Sequence, residues 1–201
     1  MVVRAVFVFL AMVSSLTACS SGTTPTSSPS PEPTPIERLN TDAIRIPRID
    51  FCSFIAKDDV RDALSVDKAT KPEAEAWTNG DKAPVTAQVQ DVIAEHLCQW
   101  TADESVVRAW VFAPPVTPKF ARQVVAAPRR TEKCRVEPGS TFGKPSVHQI
   151  CNTTTRRVRR EGLFTDTWLG CEVSGSASLA ELRRRADRWC SSVVTTLNTT
   201  R

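Results

Sequence analysis

Apolar residues return every three or four positions near the end of the chain, at Leu179, Leu182, Ala186, Trp189, Cys190, Val193 and Leu197. That spacing draws one stripe along about five turns of an amphipathic helix. Arg183, Arg184, Arg185, Asp187 and Arg188 fall mostly on the other side. Ser178-Leu179-Ala180-Glu181 forms a capping box, with serine at the N-cap and glutamate three residues on. A helix over 179–197 is therefore expected. A second helix is expected over Thr117–Ala126, where Thr117 caps, Pro118 fits the first turn, and Phe120, Val124 and Val125 face inward. A third covers Lys57–Ser65, with Val60, Ala63 and Leu64 on its inner side.

Elsewhere the pattern is that of strands. His96–Thr101 and Ser105–Phe112 flank Asp103-Glu104 and read as a hairpin. Arg157–Glu161 and Phe164–Ser174 flank Gly162 and read as another, with a strand expected at Pro145–Asn152. Lys68–Thr86 has few large apolar residues besides Trp77 and reads as a long irregular loop. Strands joined by short turns and helices set apart from them give an α+β fold. The expectation is a single domain, a mostly antiparallel sheet packed against a long C-terminal helix and one or two shorter helices.

The first residues bear on the compartment. Arg4 precedes an apolar run, Ala5–Val13, that is too short to cross a bilayer, so residues 1–18 read as a signal peptide. Leu16-Thr17-Ala18-Cys19 looks like a bacterial lipobox, which implies cleavage before Cys19 and a diacylglyceryl group on its sulfur, with a palmitate-type acyl chain. Two or more acyl chains hold a protein stably on a membrane where one does not. Fourteen of the sixteen residues from Ser20 to Pro35 are Ser, Thr or Pro. Such a segment is an extended spacer, reaching roughly 50 Å at about 3.1 Å per residue. Residues 19–44 are assigned to the lipidated cysteine and linker, and 45–201 to the globular domain. The expected location is the outer face of the cytoplasmic membrane.

Composition narrows the chemistry. Of 201 residues only 7 are glycine and 2 are histidine, and there is no tyrosine. No phosphate loop, dinucleotide fingerprint or Gly-x-Ser-x-Gly elbow occurs. His96 and His148 sit in no recognisable triad context, and the pairs Asp58-Asp59 and Asp103-Glu104 are explained by a helix N-terminus and a turn. No catalytic residue, cofactor or metal is expected, and the chain reads as a non-enzyme. The formal charge of +4 divides unevenly, −5 over residues 1–118 and +9 over 119–201. A basic half favours anionic partners. In Arg156-Arg157-Val158-Arg159-Arg160, Arg157 and Arg159 share one strand face, and Trp168 lies close enough in sequence to add stacking. Arg157, Arg159 and Trp168 are the binding candidates. Nucleic acid is not an expected partner outside the cell.

Six cysteines follow Cys19, at 52, 98, 134, 151, 171 and 190. An even count in an exported chain implies disulfides, and their wide separation argues against zinc. Many connectivities are possible. Nearness along the chain favours Cys171–Cys190, joining the last strand to the last helix, and Cys134–Cys151, closing the loop through Pro138-Gly139. That leaves Cys52–Cys98, tying the first helix to the first hairpin.

Several of these residues form a wider pattern. Phe51-Cys52-Ser53-Phe54-Ile55 leads into Asp58-Asp59-Val60 and Ala63-Leu64, then Cys98-Gln99-Trp100, Phe142-Gly143-Lys144-Pro145-Ser146-Val147, Cys171-Glu172-Val173 and a final helix with Trp189-Cys190. Behind a lipobox and a Ser/Thr/Pro stalk, this resembles the actinobacterial lipoproteins grouped as domain of unknown function 3558. The resemblance spans about residues 45–198. It implies an α+β domain outside the cytoplasmic membrane and brings no established activity. The expected function is a membrane-anchored ligand-binding or sensing module. The alternative is an interaction subunit docking on another cell-envelope protein or an anionic envelope polymer.

Overall fold

The structure, a computed structural model, describes residues 33–84, 90–126, 134–137 and 141–200. The signal segment, Cys19 and most of the linker lie outside the described residues. So does the expected loop at Pro138-Gly139.

Seven antiparallel strands form the main sheet, in the order β1 (Glu73–Trp77), β4 (Glu95–Ala102), β5 (Ser105–Phe112), β9 (Thr167–Gly175), β8 (Arg156–Phe164), β7 (Ser146–Cys151), β6 (Cys134–Glu137). β2 (Lys82–Pro84) and β3 (Gln90–Val92) pair separately. After the β4–β5 hairpin the chain passes through helix α2 (Pro118–Ala126) to the far edge, then returns strand by strand until β9 pairs with β5. The expected α+β architecture is the one observed.

Two expectations about strands change. β8 runs straight through Gly162, and the chain turns at Thr165-Asp166, where Thr165 has φ 61°. Gly162 is a strand glycine because the Phe142 backbone lies on it: a Cβ there would stand 1.7 Å from the Phe142 carbonyl oxygen. The stretch 68–86 is not wholly irregular either. Glu73-Ala74-Glu75-Ala76-Trp77 pairs with β4 as an edge strand, and its alternation escapes notice because alanine and glutamate are poor strand formers.

α1 (Lys57–Leu64) and α3 (Leu179–Thr199) pack on one face of the sheet. The main core joins Leu182, Ala186, Trp189, Val193 and Leu197 of α3 to Val107, Ala109, Leu169 and Val173 of the sheet. Ser178 caps α3 as expected, its hydroxyl accepting from the Glu181 amide at 3.2 Å. Arg185 is buried rather than solvated, and its Nε donates to the Ala63 carbonyl at the end of α1, 2.7 Å away. It lies three residues beyond Leu182, so it falls inside the stripe. Ile36 and Ile44, assigned by composition to the linker, are buried in this same core. The folded body therefore begins upstream of residue 45.

On the other face α2 covers one end, where Ala121 packs with Val116, Val147, Leu163 and Trp168. Thr117 caps α2 through the Phe120 amide, 3.2 Å away. Phe120, expected inside, is 48% exposed, and Ala121 is the buried residue. Three disulfides are present: Cys52–Cys98, Cys134–Cys151 and Cys171–Cys190. Cys98, Cys171 and Cys190 are fully buried in the main core, so two of the staples cross it.

Candidate functional site

The edge of the sheet beside α1 holds a cleft. β1 turns only Ala74 and Ala76 toward the helix side, opposite Trp100 and Cys98 of β4. Small side chains leave space above Trp100, a cavity of about 430 Å³. Ile55, Val60, Pro72, Ala74 and Trp100 supply its apolar walls, and Lys57, Arg61 and Lys71 its charged groups.

The local chemistry makes this cleft rigid. Trp100 meets Trp189 edge to face, with centroids 5.6 Å apart. The Trp189 indole donates to the Arg108 carbonyl at 2.8 Å, so the floor is fixed from beneath. The rim follows from the end of α1. Ser65 takes the left-handed conformation at φ 62°, and the Val66 amide returns to the Arg61 carbonyl at 3.1 Å. Asp67 then accepts from the Ala69 amide and from the Thr70 amide and hydroxyl. The Thr70 hydroxyl bond leads the causes that hold the Asp67 carboxyl below the ordinary range. Arg61 bridges the rim to the helix, donating to the Thr70 carbonyl at 3.3 Å and to Asp58 at 3.0 Å.

The opposite face of the sheet carries the basic candidates. Strand register places Glu75, Gln99, Arg108, Glu172 and Arg159 in one row across five strands. Gln99 donates to Glu75 at 2.8 Å, and Arg108 Nε donates to Gln99 at 2.6 Å. Arg159 holds Glu172 with Nε at 2.8 Å and Nη2 at 2.7 Å, and its guanidinium lies 5.1 Å above the Trp110 ring. Arg157, one row further on, faces the same way as Arg159, as period two requires. Trp168 does not join them. It is buried under α2, and Trp110 is the indole that stacks with an arginine. Arg108 and Glu172, which complete the cluster, come from other strands, so only the register brings them together.

A third polar group closes the sheet edge under α3. His148 of β7 has Nδ1 3.7 Å from Glu137, and Arg160 pairs with Asp187. Burial, with Arg160 and Arg183 adding to it against the pull of Glu137, pushes His148 down to about 4. His148 therefore stays neutral in the fold at neutral pH. An unfolded histidine takes a proton first as pH falls below 6.5, so this group's contribution is complete above 6.5 and lost down to about 4. The loss reaches about 3 kcal/mol. Burial pushes Asp187 up against the attraction of Arg160, which works in the opposite sense. His148→Gln is expected to flatten the difference in urea-unfolding stability between pH 7 and 4. An unchanged difference, or a native His148 midpoint near 6.5 by NMR, would refute the assignment.

His96 lies on β4 and His148 on β7, with β5, β9 and β8 between them. Asp58 and Asp59 sit in the first turn of α1, and Asp103 in the β4–β5 turn. Among the described residues, no helix is long and apolar enough to cross a membrane.

No protein-family model matches this chain. No curated protein matches it either. Among solved structures, the extracellular domain of PknH from Mycobacterium tuberculosis is similar at 12% identity and a TM-score of 0.40, over 81% of this chain and 97% of that one.

Proposed function

We propose that the chain is a lipid-anchored, extracytoplasmic binding module of the lipoprotein group it resembles, domain of unknown function 3558. In this reading it takes a small, largely apolar ligand into the Trp100 cleft. The cleft is the observation that carries the reading. Its volume of about 430 Å³ falls among small-molecule sites, which run from roughly 300 to 1,000 Å³. Its floor and rim are held without a ligand, so little ordering cost opposes binding. Lys57, Arg61 and Lys71 suit a ligand with an anionic end. Cys19 in its lipobox supports the anchor, and three disulfides support an oxidising compartment.

An anilinonaphthalene sulfonate dye, apolar with one anionic end, tests the cleft. The full chain with its disulfides formed should enhance the dye's fluorescence saturably. Ala74→Trp fills the cleft from an exposed edge position and should remove at least about nine-tenths of that affinity, a tenfold change. Equal dye binding by the variant would reject the cleft as the site.

A further inference from the structure

We infer a second, independent site on the opposite sheet face: a cleft between Arg108 and Arg157 that binds a phosphate-type oxyanion. It goes beyond the apolar-ligand reading and does not depend on it. The cleft has a volume of about 390 Å³ and runs between the start of β5 and the Cys134–Cys151 bond. Besides the two arginines, Thr153, Thr155 and Ser174 bring hydroxyls to its wall.

The charges in the cleft are unequally satisfied. Glu172 is its one carboxylate, and it is spoken for. Its side chain is 3% exposed, and Arg159 takes Oε2 with two short contacts. Arg157 Nε is buried, stands 3.5 Å from that same oxygen and makes no hydrogen bond among the described residues. Among the described residues its Nη2 reaches only the disulfide, 3.2 Å from the Cys151 sulfur, a weak acceptor. Arg108 is 3.9 Å from Glu172. Both arginines reach the surface, with side chains 40% and 34% exposed. Two guanidinium groups therefore open on the cleft with one sunken carboxylate between them. A guanidinium is a rigid fork suited to oxyanions, and an exposed cation with only a distant carboxylate gains most when an anion arrives. Guanidinium donors approach from β5 on one side and from β8 on the other. The Thr153 and Ser174 hydroxyls already donate to the Thr155 and Val106 carbonyls, which leaves the Thr155 hydroxyl as the third donor. The space exceeds a bare ion, so a phosphate ester fits better than free phosphate.

The test titrates the full, oxidised chain with inorganic phosphate and with glycerol phosphate, holding ionic strength constant with sodium chloride. Amide and arginine Nε signals are followed by NMR. Saturable shifts are expected at Arg157, Thr155 and Ser174, larger in affinity for the ester. Arg157→Gln should weaken binding about tenfold or more. Thr155→Asp, at an exposed turn position, should abolish it without disturbing the fold. Ala74→Trp in the other cleft and Arg184→Gln on the exposed side of α3 should leave it unchanged. Shifts that chloride alone reproduces, no saturation by either phosphate, or full binding by Thr155→Asp would overturn the proposal.

Discussion

Gly162→Ala is expected to destabilise the fold by about 3 kcal/mol or more, at the severe end of overpacking. The added methyl would stand 1.7 Å from the Phe142 carbonyl oxygen and 2.7 Å from its carbon. Both are backbone atoms, so no rotamer change relieves the contact. Phe142 is itself fully buried and packed edge to face on Phe164, with centroids 5.1 Å apart. A Cβ on Gly143, next to it at φ 81°, would stand 2.8 Å from the Leu163 backbone. The two segments must separate, and the edge of the core opens with them. Gly170 makes a useful contrast. A methyl there meets the Trp110 ring at 2.1 Å, but that ring belongs to a side chain at the face of the sheet. Gly170→Ala should cost less and should loosen the Arg159–Trp110 contact. Urea unfolding of both variants measures the order. Gly162→Ala within about 1 kcal/mol of the parent would show that the 142–143 segment is not held on β8.

Loss of Cys52–Cys98 is expected to cost about 4 kcal/mol, the largest loss among the three disulfides. The entropy of loop closure decides the order. Cys52 and Cys98 are 46 residues apart, against 19 for Cys171–Cys190 and 17 for Cys134–Cys151. The shorter loops correspond to about 3 kcal/mol each. Burial adds to the first two, since Cys98, Cys171 and Cys190 are fully enclosed and their removal leaves voids. Cys134–Cys151 sits at the sheet edge, joining directly opposed residues of β6 and β7. Double Cys→Ala variants, unfolded in urea one pair at a time, should lose stability in that order. A smaller loss for Cys52–Cys98 than for Cys134–Cys151 would mean that chain entropy does not govern these bonds.

Much of the scaffold is legible in the chain because its signals are long. The α3 stripe extends over five turns with a capping box in front, and the β4–β5 hairpin alternates on both sides of a charged turn. The parts that escape are short or built from small residues. β6 has four residues, Cys134-Arg135-Val136-Glu137, too few to show a period. β1 hides because its inward residues are alanines, and that smallness is what leaves room above Trp100. A cleft made by absent volume has no sequence signal of its own. The shared face of Arg157 and Arg159 follows from period two alone. Their partners Arg108 and Glu172 depend on which strands become neighbours, and β5 beside β9 is a long-range pairing that local pattern does not encode. Trp168 illustrates the same limit. Nearness in sequence suggested a stacking role, but the register places it beside Leu163, under α2, while Trp110 occupies the stacking position.

Native mass spectrometry of the full chain, taken from the membranes of an expressing cell with its disulfides formed, tests the central claim most directly. A reproducible small-molecule adduct is expected on the parent chain, lost in Ala74→Trp and retained in Thr155→Asp. The adduct mass would also identify the ligand class. A chain carrying nothing beyond its covalent lipid in both parent and variant, six hydrogens lighter than the reduced protein and so fully oxidised, would contradict a ligand-binding role for the Trp100 cleft.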